Sequence, residues 1–287
     1  MPLFSVIIPV YNAESWIEEC LNSVLNQTFN DFEIVLVNDG SSDRSAKRIR
    51  HILKSTAIKW QLIEQENKGL GNARNTAVAA ANGEWLSFLD ADDYWSLHKL
   101  LNASNFIKEN PQFDWFYNEV YERYENGRMR ERAGFSFSTL EEWVTKGNPI
   151  VPSATHIKKE VFQKHQGFEE DRKQVEDLGL WFKLFAESNF PGFLEETLTV
   201  YRLGSGLTQN AKEHFTKVLE AVDFYKDQVS LNDELYAEFV ERKKYEFARQ
   251  AQKSGNTTEA LNEYRKLKEQ SLKVKLFSVL ANLGISI

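Results

Sequence analysis

The sequence has few cysteines, no excess of basic residues and no long apolar segment. Cys20 is its one cysteine among 287 residues, which excludes an internal disulfide and a cysteine-built metal site and favours a reducing compartment. The formal net charge of −7 argues against broad binding to DNA or RNA through a basic surface. No apolar run reaches the about 18 residues that suggest a spanning helix. The N-terminal MPLFSVIIPVYN lacks the basic start and cleavage site of a signal peptide. We therefore expect a cytoplasmic protein, soluble or at most peripheral at the inner face of the cell membrane.

Familiar nucleotide-binding loops are missing as well. No G-x-G-x-x-G follows the first apolar segment, and no G-x-x-x-x-G-K-[ST] occurs, so a dinucleotide fingerprint and a P-loop are both absent. The Asp90-Ala91-Asp92 triplet differs from an aspartyl-phosphate phosphatase motif, because it ends a fourth predicted strand and continues into Asp93-Tyr94. A nucleotidyltransferase of related sheet topology would need a Gly-rich N-terminal loop, which is not there.

What the sequence contains is a regular alternation of strand-like and helix-like segments. Runs rich in β-branched and aromatic residues predict strands at 4–10, 32–38, 59–65 and 84–90. Between the first two runs, apolar residues recur at helical spacing and predict a helix, with Asn12 suited to cap it. The strands are apolar along most of their length, which is typical of parallel strands covered on both faces. The pattern predicts an α/β doubly wound sheet.

A polar cluster follows each predicted strand. The clusters are PVYN at 9–12, NDGSSD at 38–43, ENKG at 66–69 and DADD at 90–93. Because the carboxyl ends of parallel strands lie at one sheet edge, where open α/β sheets bind ligands, the four clusters predict a binding crevice. Four ordinary solvated turns are the less favoured interpretation.

The last cluster crowds three carboxylates, Asp90, Asp92 and Asp93, around one alanine. Like charges this close repel one another. Magnesium and manganese commonly take one or two carboxylates together with substrate phosphate oxygens, so Mn²⁺ or Mg²⁺ with a diphosphate would neutralise the cluster. The alternative is that Asp92 and Asp93 cap a helix beginning near Ser96.

Five segments carry a family resemblance. In this order, FSVIIPVYN, VNDGSSD, ENKGLGNARN, FLDADD and VEDLGLWFKL resemble the motifs of family 2 glycosyltransferases with the GT-A fold, over residues 3–205. The resemblance implies a Rossmann-like, mostly parallel sheet flanked by helices at 1–208. It divides this domain into a nucleotide-sugar-binding half, 1–100, and an acceptor and catalytic half, 101–208. Charged, proline-free sequence then predicts a C-terminal α-helical extension at 209–287.

The resemblance also implies a donor site for a nucleotide sugar. Asp39 would accept a hydrogen bond from the base, most readily from the imide N–H of uracil. Asp92 would touch the metal, and Asp90 would serve as the second metal ligand nearer the ribose and sugar. The other donor-side residues that it implies are Pro9, Tyr11, Asn12, Asn67, Lys68, Arg74 and Arg202. By spacing alone, Arg74 is explained equally well as a surface arginine paired with an acid.

A base must activate the acceptor hydroxyl, and the acidic pair Glu176-Asp177 is the candidate. The pair begins a segment with helical apolar spacing, where the helix dipole alone favours acids by under about 1 kcal/mol. The family's E-D motif implies that Asp177 is the general base and that Glu176 orients it or contacts the acceptor. Further acceptor contacts are expected from Asp93, Ser153 and Trp181.

The implied activity is an inverting transfer of a sugar, of hexosyltransferase type, from a UDP-sugar to a saccharide or lipid-linked acceptor in cell-surface polysaccharide or glycolipid synthesis. The competing hypothesis is a nucleotide-sugar-binding or scaffold protein without transfer activity. The presence of Asp90, Asp92 and Asp177 together argues against it.

The last predicted helix, within 270–287, has one apolar face with lysines before and beside it. Its apolar residues are Leu272, Leu276, Val279, Leu280 and Leu283, and the lysines are Lys266, Lys268, Lys273 and Lys275. Such a helix could lie on an anionic membrane surface. It could equally pack on the catalytic domain or on a second subunit, which leaves a homodimer open.

Overall fold

The computed structural model of the chain describes residues 1–171, 175–203, 211–268 and 272–286. The chain divides into two compact units. Unit 1 comprises Met1–Thr139 and Asn148–Gly206, and unit 2 comprises Leu140–Gly147 and Leu207–Ile287. The predicted domain boundary at residue 208 lies outside the described residues and stays a prediction.

The strands all belong to unit 1 and form one nine-stranded sheet. They are β1 (Phe4–Val10), β2 (Phe32–Asp39), β3 (Lys59–Gln65), β4 (Trp85–Phe88), β5 (Tyr94–Trp95), β6 (Trp115–Arg123), β7 (Met129–Arg132), β8 (Thr155–Lys158) and β9 (Gly192–Arg202). Their order is β3-β2-β1-β4-β8-β6-β9-β5, and β7 pairs with β6.

The helices flank this sheet in unit 1, and in the described residues of unit 2 they are the only regular elements. In chain order they are α1 (Ile17–Leu25), α2 (Ser45–Leu53), α3 (Leu70–Ala80), α4 (Lys99–Glu109), α5 (Leu140–Lys146), α6 (Lys159–Lys164), α7 (Glu176–Ala186), α8 (Ala211–Tyr225), α9 (Asp233–Lys253), α10 (Thr257–Arg265) and α11 (Leu272–Asn282). Helix α5 and helices α8–α11 belong to unit 2. A short 3-10 turn at Pro152–Ala154 precedes β8.

The four predicted strands are confirmed as β1–β4, and they pair in parallel. Every residue of β1 and β2 is buried, because helices cover both faces of these central strands. Helix α1 contributes its predicted stripe of Ile17, Cys20, Leu21 and Val24 to the same core. The continuous apolar runs in the sequence therefore correspond to the buried middle of the sheet.

The second half of the sheet is mixed. Strand β8 lies between β4 and β6 and is antiparallel to both, whereas β9 runs parallel to β6. Of the aromatic residues in β6, Trp115 and Tyr117 are fully buried, but Tyr121 is 36% exposed. His156 in β8 is buried too, with Nδ1 at 2.7 Å from the hydroxyl of Ser87 in β4.

Two predicted helix caps are wrong. Helix α1 begins at Ile17, too far from Asn12 for that side chain to cap it. Asn12 instead has a φ of 48°, a left-handed conformation that asparagine tolerates, and its Oδ1 accepts a hydrogen bond from the Ser42 backbone. Helix α4 begins only at Lys99, so neither Asp92 nor Asp93 caps it.

Unit 2 has its own apolar cores. Helices α9, α10 and α11 bury a cluster made of Ala248, Ala251, Ala260, Tyr264, Leu267, Val274 and Ala281. Trp143 of α5 stacks on Phe239 of α9 with ring centroids 5.7 Å apart. Asn232 and Asn256 cap α9 and α10 through their side-chain oxygens, so both helix starts follow the capping chemistry of asparagine.

Candidate active site

The loops after the first three strands contact one another at one edge of the sheet. The Asn12 backbone N–H donates to Ser41 Oγ at 3.0 Å, which joins the loops after β1 and β2. Gly40 has a φ of 71°, and a Cβ there would lie 2.8 Å from the backbone nitrogen of Asn67 in the loop after β3. Only a glycine permits this close approach. The strand ends therefore meet as their order predicts.

Asp39 holds the third loop in place. Its Oδ1 accepts hydrogen bonds from Gln65 Nε2 and Lys68 N, both at 2.8 Å, and its Oδ2 accepts one from Gly69 N at 2.9 Å. An ionised carboxylate offers about four lone-pair sites, and the described residues use three of them on Asp39, which is 3% exposed. The predicted hydrogen bond to a base stays a prediction.

The side chains predicted to surround the nucleoside lie in the open around Asp39. Tyr11 is 56% exposed, and Asn12, Asn67 and Lys68 are exposed as well. Pro9, by contrast, is buried within β1. This side of the crevice therefore presents aromatic, amide and ammonium groups to solvent.

Arg74 ties the two halves of the site together. Its Nη2 lies 2.6 Å from Asp90 Oδ1 at the end of β4, and its Nη1 lies 2.7 Å from Glu176 Oε1 at the start of α7. The side chain is 1% exposed, so the interpretation of Arg74 as a surface arginine is wrong. Burial alone would lower the pKa of Arg74, but the Asp90 and Glu176 carboxylates outweigh this effect and raise it. The guanidinium is therefore a fixed, buried positive charge.

Asp177 lies next to this bridge on the first turn of α7. The Trp181 indole Nε1 donates to Asp177 Oδ2 at 3.3 Å, and the Trp181 ring stacks on Trp115 at 4.8 Å between centroids. Burial raises the pKa of Asp177 above its ordinary value, although the Arg74 charge and the Trp181 hydrogen bond oppose the shift. The half-buried carboxylate is thus a stronger base than a solvated aspartate.

Glu176 is itself 5% exposed. Burial raises its pKa, the Arg74 charge lowers it, and the neighbouring Asp177 raises it. Among the residues that the structure describes, none donates a hydrogen bond to Glu176 Oε2. One oxygen of this carboxylate is therefore held by Arg74 and the other has acceptor capacity left.

Asp93 is a buried junction beneath the site. It is 1% exposed, its Oδ2 accepts from Ser153 Oγ at 2.5 Å, and its Oδ1 accepts from Arg202 N at 2.8 Å. Ser153 Oγ in turn accepts from the Asp90 backbone at 3.0 Å. Burial raises the pKa of Asp93, and the negative charges of Asp92 and Asp90 raise it further. Asp93 thus joins three chain segments below the acidic cluster.

The predicted acceptor contacts therefore need correction. Asp93, Ser153 and Trp181 are 1%, 0% and 0% exposed, so these side chains have no surface with which to touch an acceptor in this conformation. Each instead supports a neighbour. Asp93 and Ser153 hold the loop that carries Asp90, and Trp181 holds Asp177.

Arg202 ends β9 beside Asp92. Its Nε donates to the Asp92 carbonyl and its Nη2 to Glu19, while its guanidinium lies 4.7 Å above the Trp16 ring and 5.2 Å from the Tyr94 ring centroid. Sequence reasoning missed Trp16 and Glu19, because helical spacing marks them only as ordinary solvent-facing residues near α1.

The acidic cluster suits a divalent cation that also binds a substrate. In the described part of the chain, no three His, Cys, Asp or Glu side chains are arranged to hold a metal by themselves. A Mn²⁺ or Mg²⁺ ion shared with a diphosphate needs only one or two carboxylates from the protein. Asp90 and Asp92 supply hard oxygen donors, and their charges already raise the pKa of Asp93. The residues present therefore fit such an ion.

Comparison with known proteins places the chain in a family. The model of glycosyl transferase family 2 matches residues 5–166. The chain belongs to glycosyl transferase family 2. EpsJ of Bacillus subtilis (strain 168), described as an uncharacterized glycosyltransferase, is 33% identical over 214 residues, covering 70% of this chain and 61% of EpsJ. An uncharacterized glycosyltransferase of Rickettsia bellii is 30% identical over 207 residues, 71% of this chain and 29% of that protein. The chain thus spans less than two thirds of either relative.

Solved structures confirm the predicted GT-A fold. S. aureus TarS 1–349 in complex with UDP has a TM-score of 0.61 at 21% identity, covering 98% of this chain and 87% of that one. The mannosyltransferase PcManGT from Pyrobaculum calidifontis, in complex with GDP-Man and Mn²⁺, has a TM-score of 0.61 at 19% identity, covering 99% and 85%. At these identities the similarity establishes the fold alone.

Proposed function

We propose that the chain is an inverting glycosyltransferase of hexosyltransferase type that moves a sugar from a nucleotide sugar to a hydroxyl acceptor. The observation that carries this proposal is the Arg74 bridge. A buried guanidinium joins Asp90, at the end of β4, to Glu176, whose neighbour is Asp177. The Arg74 side chain thus links the acidic loop after β4 with the start of α7, which carries the carboxylate suited to be a base.

The donor is a nucleotide sugar whose base is uracil. Support comes from TarS, whose structures include complexes with UDP and with UDP-GlcNAc. The remaining acceptor site on Asp39 suits the imide N–H of uracil. Tyr11, Asn12, Asn67 and Lys68 border the nucleoside, since they are the exposed side chains around Asp39.

Asp92 and Asp90 hold a Mn²⁺ or Mg²⁺ ion when the donor binds. The Mn²⁺ in the PcManGT complex supports a metal in this fold. Such an ion stabilises the negative charge that develops on a leaving diphosphate. Arg202, which lies beside Asp92, is in turn a candidate to contact the diphosphate.

The reaction is a single displacement. Asp177 accepts the proton of the acceptor hydroxyl, whose oxygen then forms a bond to the anomeric carbon while the bond from that carbon to the diphosphate oxygen breaks. Attack and departure on opposite faces invert the anomeric configuration. Glu176, which is buried and held by Arg74 through Oε1, positions the neighbouring Asp177 rather than contacting the acceptor. The acceptor is a saccharide or lipid-linked hydroxyl of cell-surface polysaccharide or glycolipid synthesis.

A screen of nucleotide sugars tests the proposal. The protein is incubated with UDP-linked and GDP-linked hexoses and with saccharide acceptors, and release of nucleoside diphosphate is measured. We expect release from at least one UDP-sugar. Donor binding by calorimetry without release from any donor would contradict the proposal and favour a nucleotide-sugar-binding scaffold.

A further inference from the structure

Helix α11 has two apolar faces, and within the described residues one of them is packed and the other faces solvent. Val274 and Ala281 are buried against α9 and α10, and Phe277 packs beside them. A second set, displaced around the helix, faces solvent: Leu276 is 56% exposed, Val279 56% and Leu283 66%. Three of the five apolar residues grouped from the sequence, Leu276, Val279 and Leu283, therefore face solvent, whereas other residues form the contact of α11 with α9 and α10. The side chains of Leu272 and Lys273 lie outside this description.

The region around this face is basic in an otherwise acidic chain. Residues 265–287 contain five Lys and Arg residues and one acid, whereas the whole chain has a net charge of −7. Lys275 is exposed, and by helical spacing it lies at the edge of the face that carries Val279 and Leu283. Arg265, Lys266 and Lys268 are exposed in the segment just before α11. Lys275 thus borders the apolar face, and the chain just before α11 is basic, with Lys266 paired to Glu263.

The apolar side chains and the neighbouring basic residues together restrict which partner can bind the exposed face of α11. A contact with a second copy about a two-fold axis would place the same patch on both subunits and bring lysine towards lysine. Among the described residues no helix is long and apolar enough to cross a membrane. A helix with leucine and valine on one face and lysine at its border instead matches an interfacial helix on anionic lipid, where lysine stems extend to the phosphates.

We propose that α11 binds the surface of an anionic lipid bilayer. Leu276, Val279 and Leu283 enter the boundary between headgroups and acyl chains, and Lys275 with the preceding basic residues contacts lipid phosphates. The contact is peripheral, since the opposite face of the same helix stays packed in unit 2. It does not depend on the proposed transfer reaction, although it would bring the protein to the surface where lipid-linked acceptors lie.

Sedimentation of the full-length chain with lipid vesicles tests this proposal. Two vesicle types are compared: phosphatidylcholine alone, and phosphatidylcholine with phosphatidylglycerol in equal parts. We expect binding to the mixed vesicles that weakens at high salt and is at least about tenfold weaker to phosphatidylcholine alone. The L276S/V279S double variant should bind the mixed vesicles at least about tenfold more weakly than the wild type, because serine replaces two apolar side chains of the exposed face.

Phe224→Ser is the matched control, because Phe224 is a similarly exposed apolar residue of unit 2, in α8. It should bind vesicles as the wild type does, and circular dichroism should show all variants folded. Absence of vesicle binding, equal binding to both vesicle types, or undiminished binding by the double variant would each overturn the proposal. Light scattering that shows a wild-type dimer and a monomeric double variant would assign the face to a second copy. No sugar donor is present, so the result is independent of the proposed activity.

Discussion

At the scale of residues, we expect the hydrogen bond from Trp181 to fix the orientation of Asp177. Trp181→Phe keeps an aromatic ring on Trp115 but removes the indole N–H that donates to Asp177 Oδ2. A hydrogen bond of this kind contributes about 1 kcal/mol, or somewhat more to a charged group. We expect kcat to fall about 3-fold to 30-fold with little change in donor KM.

Trp85→Phe is the control for this substitution. Trp85 is equally buried, but its Nε1 has no hydrogen-bond partner among the described residues. Its replacement should leave kcat within about 2-fold of wild type. Steady-state kinetics that show the same small change for both variants would mean that the indole of Trp181 does not orient the base.

We expect the charge of Arg74 to influence the acid limb of the pH profile. Asp177 must be deprotonated to accept a proton, so the rate falls as pH drops through its pKa. Burial raises the pKa of Asp177, and Arg74 partly opposes this shift. Arg74→Gln removes the opposing charge, so the acid limb of kcat should move to higher pH. Arg74→Lys keeps the positive charge, so this variant should shift the acid limb less than Arg74→Gln does. Profiles with the same acid limb for both variants would contradict this role.

The sequence identified Arg74 as a residue of interest but could not show what it does. Its partner Glu176 lies 102 positions away, and a contact at that separation depends on the finished fold. For the same reason, Asp93 was expected at a ligand or at a helix cap and instead lies buried under the loop. Local spacing identified the charged residues, whereas burial and long-range pairing decided their roles.

At the scale of elements, α3 must approach the start of α7 closely. A Cβ on Gly71 would lie 2.5 Å from the Glu169 carbonyl oxygen and 3.2 Å from Glu176 Cβ. Alanine gains up to about 1 kcal/mol of helix propensity over glycine, but overpacking against backbone costs about 1–3 kcal/mol. Gly71→Ala should therefore lower the free energy of unfolding of unit 1 and reduce kcat, because it displaces Glu176.

Urea denaturation followed by tryptophan fluorescence measures the effect, because every tryptophan except Trp143 lies in unit 1. Ala79→Ser is the control, as Ala79 is exposed on the same helix. Its unfolding curve and kcat should match those of the wild type. An unchanged or more stable Gly71→Ala variant would show that the contact between α3 and α7 can relax.

The elements differ in how far the sequence predicted them. Strands β1–β4 and helix α1 were predictable, because their apolar patterns are strong and the polar ends share one edge. The insertion of β8 between β4 and β6 was not, since neighbouring order in a sheet leaves no local pattern. The packed face of α11 was also missed, because a helix with two apolar faces does not reveal which one is covered.

At the scale of the whole molecule, charge determines how an anionic donor can bind. The chain carries a net charge of −7, and the site itself contains Asp90, Asp92, Asp93 and the Glu176-Asp177 pair. Arg74 and Arg202 offset part of this negative charge, and a Mn²⁺ or Mg²⁺ ion between a nucleoside diphosphate and Asp92 would offset more of it. Calorimetric titration with UDP should give at least about tenfold tighter binding with Mn²⁺ or Mg²⁺ than with EDTA. Equal affinity in both conditions would remove the metal-binding role from Asp92.

The central claim is that Asp177 is the base of a sugar transfer. The most direct measurement compares nucleoside diphosphate release by wild type and by Asp177→Asn, with the active donor found in the screen and at concentrations that saturate both proteins. Asparagine keeps the size of the side chain but cannot accept the proton. We predict that Asp177→Asn binds the donor as wild type does and releases nucleoside diphosphate at least about 100-fold more slowly. Release at the wild-type rate would contradict the account.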